Sequence, residues 1–200
     1  MLFRSVLLFR ASFSGAAATA ATGSAIFDSD GCAVATWLAS AVAVAVSAIA
    51  LALTSFAGVP HRLELVAEIG GVRYVNDSKA TNTAAARRAL AAFDAPLHLI
   101  LGGSLKGERF DEFAQDVARA NVVAAYLIGE AAELLATDFG YVNVPFYVST
   151  TLERAVAEVA ATAQAGEIAL LSPACASYDQ FRDFEHRGEE FRRLVENLQG

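Results

Sequence analysis

The chain is 200 residues long, enough for one domain with an appendage or for two small domains. Its formal net charge of −7, with no basic patch carrying interleaved aromatics, excludes nucleic acid as the main partner. Two cysteines, Cys32 and Cys175, give neither a disulfide framework nor metal-ligand spacing, so a reduced, cytoplasmic setting is expected.

The charge is spread unevenly. Residues 1–57 hold only Arg4, Arg10, Asp28 and Asp30, which cancel. The whole net charge lies beyond them, which predicts an apolar, helical or irregular segment over 1–57 and a domain over 58–200. Residues 1–31 are Ala/Ser/Gly-rich without a period and predict weak order. "MLFRSVLLFR" makes a poor secretory leader, because Arg10 cuts its apolar stretch short. Residues 32–53, "CAVATWLASAVAVAVSAIALAL", carry no charge and are long enough to span a membrane. Alanine contributes little transfer energy, however, and no Lys or Arg anchors flank the run. An alanine-rich helix is the preferred reading, and a membrane partner is not expected.

From residue 63 the pattern becomes periodic. "LELVAE", a "GG" turn and "VRYVN" predict a hairpin. A helix over 83–93, a strand over 97–101, a helix over 110–120 and a strand over 122–129 follow. Then come a helix over 130–136, a strand over 144–148, a helix over 151–163 and a strand over 167–171. The spacing predicts a long closing helix over 179–198, with Ser177 and Gln180 as its capping box. Short buried strands alternating with helices predict an α/β fold, a Rossmann-like, mostly parallel sheet with helices on both faces.

Ligands of such sheets sit at the C-terminal ends of strands. Three polar loops occupy that position: "NDSKATN", "GGSLKGERF" and "SPACASYD". The first runs from a strand into a helix N-terminus, which favours an anion. It adds the Lys79 ammonium, the Thr81 hydroxyl and Asp77, which can accept from a hydroxyl such as a ribose. A plain structural reading also fits, with Thr81 or Asn82 as helix cap and Lys79 in solvent. The second loop offers glycines, over which a ligand approaches closely, and Lys106, the only other lysine. It is not a P-loop. In the third, Cys175 reads as a small buried thiol rather than a nucleophile. His98 reads as packed within its strand and His186 as solvated, while His61 stands at the domain boundary. Nothing resembles a Ser/His/Asp triad or a catalytic carboxylate pair.

"GVPHRLELVAEIGGVRYVNDSKATN", "LILGGSLKGERF" and "LLSPACASYDQFRDFEHRGEEFRRLV" together resemble the C-terminal domain of the Mur ligase D family, over residues 56–200. These enzymes join D-glutamate to UDP-N-acetylmuramoyl-L-alanine in cytoplasmic peptidoglycan synthesis. ATP and Mg²⁺ activate the substrate carboxylate as an acyl phosphate, which the amine of D-glutamate attacks. The resemblance implies that Lys79, Thr81, Lys106, Ser177, Tyr178 and Phe184 surround D-glutamate. It implies that Arg62 and Asp77 reach the nucleotide, with His61 beside them near an interdomain hinge. No catalytic residue and no metal ligand is carried over.

The family's UDP-binding domain and the P-loop, Mg²⁺ ligands and modified lysine of its central domain have no counterpart in the sequence. Residues 48–62 resemble the end of that central domain, and residues 1–31 match nothing in the family. A fragment, inactive alone, is therefore expected. The alternatives are a stand-alone module that binds an acidic amino acid or nucleotide, and a membrane-tethered domain.

Overall fold

A computed structural model of the chain describes residues 42–51, 58–105, 107 and 109–199. Its contacts divide into two units, Met1–Phe56 and Ala57–Gly200. In the first, residues 42–51 form an exposed helix, α1, in which the Ser47 hydroxyl donates to the Ala43 carbonyl at 2.8 Å. No helix among the described residues is long and apolar enough to cross a membrane. Residues 1–31, and the ends of the apolar run at 32–41 and 52–53, lie outside the described residues.

The second unit runs β1 (Glu64–Ile69), β2 (Val72–Asn76), α2 (Thr83–Leu90), β3 (Leu97–Gly102), α3 (Asp111–Arg119) and β4 (Val122–Ile128). It continues α4 (Ala132–Tyr141), β5 (Phe146–Thr150), α5 (Leu152–Thr162), β6 (Ile168–Leu171) and α6 (Phe184–Asn197). The sheet order is β1-β2-β6-β3-β4-β5. β1 is antiparallel to β2, and the other neighbours are all parallel. Gly70 and Gly71, at φ +59° and +80°, make the tight hairpin turn between β1 and β2. Only residues tolerant of positive φ fit both positions of such a turn.

Parallel strands covered on both faces need apolar residues at every position, and the strands separate them by parity. Leu97, Leu99 and Leu101 of β3 join Leu127 and Leu170 in a core with Phe113, Leu135 and Phe139. Ile100, Tyr126 and Leu171 face the opposite core, with Val156, Phe191 and Val195. The expected α/β sheet with helices on both faces is therefore the observed one.

Element ends differ from the sequence reading. α2 stops at Leu90, α4 extends to Tyr141, and β5 ends at Thr150. The last helix begins at Phe184 rather than residue 179. Its cap is Asp183, whose carboxylate accepts from the His186 N–H at 2.6 Å. Ser177 and Gln180 do not cap it. They form a turn in which the Ser177 carbonyl accepts from Gln180 and Phe181, while the Gln180 side chain donates to the Thr150 carbonyl at 2.8 Å.

Candidate functional site

The three polar loops follow β2, β6 and β3, which are adjacent in the sheet. Their backbones are joined. Asp77 N–H donates to Leu171 O at 2.8 Å, Gly102 N–H to Pro173 O at 2.8 Å and Ser104 N–H to Ala176 O at 2.9 Å. Gly103 permits this approach, since a Cβ there would stand 2.1 Å from the Ala176 oxygen.

A buried arginine locks two of these loops to α6. Arg187 is fully buried. Its Nε donates to Ser78 Oγ at 3.0 Å, and Nη2 to the carbonyls of Ser78 (3.0 Å) and Cys175 (3.2 Å). Nη1 donates to the Ala176 carbonyl at 3.2 Å. Burial pulls the guanidinium down to about 10, still charged at neutral pH. The sequence reading did not single it out. The signal was present, because Phe184, Arg187, Phe191 and Leu194 share the inward side of α6 at helical spacing and only one of them is charged.

His61 is held in the same way. Asn76 Oδ1 accepts from Ser78 N–H at 3.1 Å, which fixes the amide orientation. Asn76 Nδ2 then donates to the Gly188 carbonyl at 3.2 Å and to His61 Nδ1 at 3.1 Å. His61 Nδ1 is thus an acceptor, and the ring proton sits on Nε2, 3.5 Å from Glu189. The His61 carbonyl accepts from Lys79 N–H at 3.0 Å, tying the strand-entry loop to "NDSKATN". His61 and Leu63 adopt φ of 60° and 46°, so the backbone is held in the left-handed region on both sides of Arg62.

Arg62, Leu63, Asp77, Lys79, Ala80, Ala85, Arg88 and Ala89 line a cleft of about 360 Å³. Asp77 is buried at its base, its Oδ2 accepting from the Ser172 hydroxyl at 3.0 Å and Oδ1 from Leu63 N–H at 3.2 Å. Burial pushes its carboxyl up to about 6, against those two hydrogen bonds and the nearby Arg62. Lys79 is exposed, with its ammonium 5.4 Å from the centre of the Phe184 ring, which in turn meets His61 edge-on at 6.3 Å. A larger cleft of about 410 Å³ lies between α2 and α3, but its Arg87 and Arg119 are already paired with Asp116.

The structure therefore brings His61, Arg62, Asp77, Lys79 and Phe184 together. Asn82 caps α2, its side chain accepting from Ala85 N–H at 2.9 Å, while half-buried Thr81 does not take the cap. Ser177 is buried and Tyr178 is 66% exposed on the β6 loop. Lys106 lies outside the described residues. Cys175 is buried, as the sequence suggested. His98 is packed, bonded to Tyr126 Oη at 2.9 Å and Glu167 at 2.8 Å. His186, expected in solvent, is instead half-buried edge-on against Phe181 at 5.7 Å, because α6 starts late and folds its first turn over the preceding bend. Among the described residues no cluster of three His, Cys, Asp or Glu could hold a metal.

Residues 61–175 match the family described as Mur ligase, glutamate ligase domain. The chain belongs to this family. Curated relatives named UDP-N-acetylmuramoylalanine--D-glutamate ligase align with most of it. The protein from Novosphingobium aromaticivorans is 51% identical over 147 residues, covering 74% of this chain and 32% of the relative. That of Caldicellulosiruptor bescii is 47% identical over 149 residues (73% and 32%). That of Haemophilus influenzae is 43% identical over 166 residues (82% and 37%). The chain thus spans about a third of the length of these Mur ligases. Among solved structures, the fold matches a UDP-N-acetylmuramate-alanine ligase from Thermotoga maritima (TM-score 0.51, 14% identity, 72% of this chain and 31% of that one). It also matches E. coli FolC (TM-score 0.52, 17% identity, 73% and 33%).

Proposed function

We propose that this domain supplies the D-glutamate pocket and one wall of the nucleotide site of an ATP-dependent ligase that adds D-glutamate to UDP-N-acetylmuramoyl-L-alanine. The observation that carries this reading is Lys79, an ammonium without an ion pair among the described residues, set at the convergence of three strand-end loops beside Phe184. D-glutamate offers two carboxylates. Lys79 takes one as a point charge, and Thr81, Lys106, Ser177, Tyr178 and Phe184 complete the pocket.

Arg62 and Asp77 serve the nucleotide, with His61 orienting the loop between them. Asp77 accepts from a ribose hydroxyl once ionised. ATP supplies the phosphoryl group that activates the substrate carboxylate. What this chain contributes is placement, since holding the amine of D-glutamate against the activated carbon replaces a bimolecular encounter. The described residues offer no ligand set for Mg²⁺, and none is assigned to it. UDP-linked substrates and ATP put the reaction in the cytoplasm, with no nucleic acid or membrane partner.

Saturation-transfer NMR on the 200-residue chain tests the reading. D-glutamate signals should appear, fall when perdeuterated D-glutamate is added, and vanish in Lys79→Ala. Equal signals from L-glutamate and succinate, surviving in that variant, would remove the D-glutamate assignment.

A further inference from the structure

α2 carries two neighbouring arginines with different surroundings. Arg87 donates to Asp116 at 2.6 Å, approaches Glu112 at 3.7 Å and lies over the Phe113 ring. Successive helix residues are rotated by about 100°, so Arg88 leaves the helix on another side. With Ala85 and Ala89 it lines the cleft that holds Arg62, Asp77 and Lys79.

Among the described residues, Arg87, Arg109, Arg119, Arg154, Arg192 and Arg193 are each paired with a carboxylate. Arg88 makes no ion pair or hydrogen bond there. The only carboxylate of its cleft, Asp77, has both oxygens engaged by Ser172 and Leu63, and burial holds its proton on up to about pH 6. At neutral pH, where Asp77 is ionised, three cations thus surround a concave space against a single carboxylate. The small side chains of Ala80, Ala85 and Ala89 leave that space open. Such a surface concentrates anions.

We propose that Arg88 binds a phosphate of the nucleotide accepted by this cleft, which rests on the nucleotide reading of Arg62 and Asp77 given above. A guanidinium presents a planar fork of donors that matches phosphate oxygens, and it stays charged at every working pH. Alanines at 85 and 89 keep the approach to it clear. Arg88 thereby sets how much of the affinity comes from phosphate rather than from the nucleoside.

The test is calorimetric titration of the 200-residue chain with adenosine, ADP and inorganic tripolyphosphate, in wild type, Arg88→Gln, Arg88→Lys and Arg73→Gln. Arg73 lies on β2 outside the cleft and controls for net charge. Thermal melts establish that each variant is folded. Arg88→Gln should weaken ADP and tripolyphosphate about ten-fold and leave adenosine unchanged. Arg88→Lys should lose less, and Arg73→Gln nothing. Unchanged ADP and tripolyphosphate binding in Arg88→Gln overturns the proposal, as does an equal loss of adenosine, which would assign Arg88 to base or ribose. Wild-type binding of adenosine without tripolyphosphate overturns it while sparing the nucleotide reading. Binding of none of the three overturns both.

Discussion

Arg187 on α6 donates to the hydroxyl of Ser78 at 3.0 Å, and that hydroxyl in turn donates to the Phe184 carbonyl at 2.7 Å. The loop that presents Lys79 is thus fastened from beneath by a buried cation that itself touches no carboxylate. The arrangement makes the position of Lys79 a property of the core rather than of a free loop.

Replacing Arg187 should therefore be costly. Arg187→Leu removes, in a buried place, the donor to the Ser78 hydroxyl and carbonyl and to the carbonyls of Cys175 and Ala176, the last of which keeps its bond from Ser104 N–H. A loss of about 3 kcal/mol or more is expected, since each unsatisfied buried group costs about 1–3 kcal/mol. Arg187→Lys should not restore it, because one ammonium cannot span the same set of acceptors. Urea denaturation of both variants checks this. Stability within about 1 kcal/mol of wild type would mean that water replaces the guanidinium.

Gly188 sets two effects against each other. Glycine inside a helix costs about 1 kcal/mol relative to alanine, so Gly188→Ala would stabilise α6 in isolation. In the fold, the new Cβ would stand 2.2 Å from Nδ1 of the buried His61 ring, which Asn76 holds in place. The clash should win, and the variant should melt below wild type. Adding His61→Ala should recover part of the loss, a positive coupling of the kind a double-mutant cycle reads. A Gly188→Ala protein that melts above wild type would show that the imidazole moves freely.

The raised Asp77 carboxyl has a definite pH signature. Between about pH 4 and about 6 the native state keeps a proton that the unfolded chain has released. This group therefore lowers stability as pH rises through that window. Asp77→Asn removes the dependence, so it should gain stability relative to wild type on going from pH 4.5 to pH 7.5, as read by urea denaturation at both. Adenosine affinity should move the other way, rising through about pH 6 in wild type and staying flat in the variant. A constant difference between the two proteins at both pH values would contradict the assigned burial.

The three polar strand-end loops were legible in the sequence because each follows a short apolar run and concentrates polar and glycine residues. That they lie side by side was not, since the order β2-β6-β3 is set by long-range pairing. Arg187 was readable as a charge at an inward helical position. Arg88 was not, because an exposed helical arginine has no local signature until the cleft is seen. The start of α6 was misread because Ser177 and Gln180 have capping-box spacing. Gln180 is drawn instead to the Thr150 carbonyl, a partner 30 residues away in sequence, and Asp183 takes the cap.

We propose that Lys79 belongs to a D-glutamate pocket. The direct measurement joins residues 58–200 to the preceding two thirds of the Novosphingobium relative and follows ligation with D-glutamate and ATP varied separately. The chimera should turn over. Lys79→Ala should raise the KM for D-glutamate about ten- to hundred-fold, the worth of one charge-assisted bond to a carboxylate, with the KM for ATP nearly unchanged. A folded chimera with no D-glutamate-dependent ADP release, or equal increases in both KM values, would contradict the account.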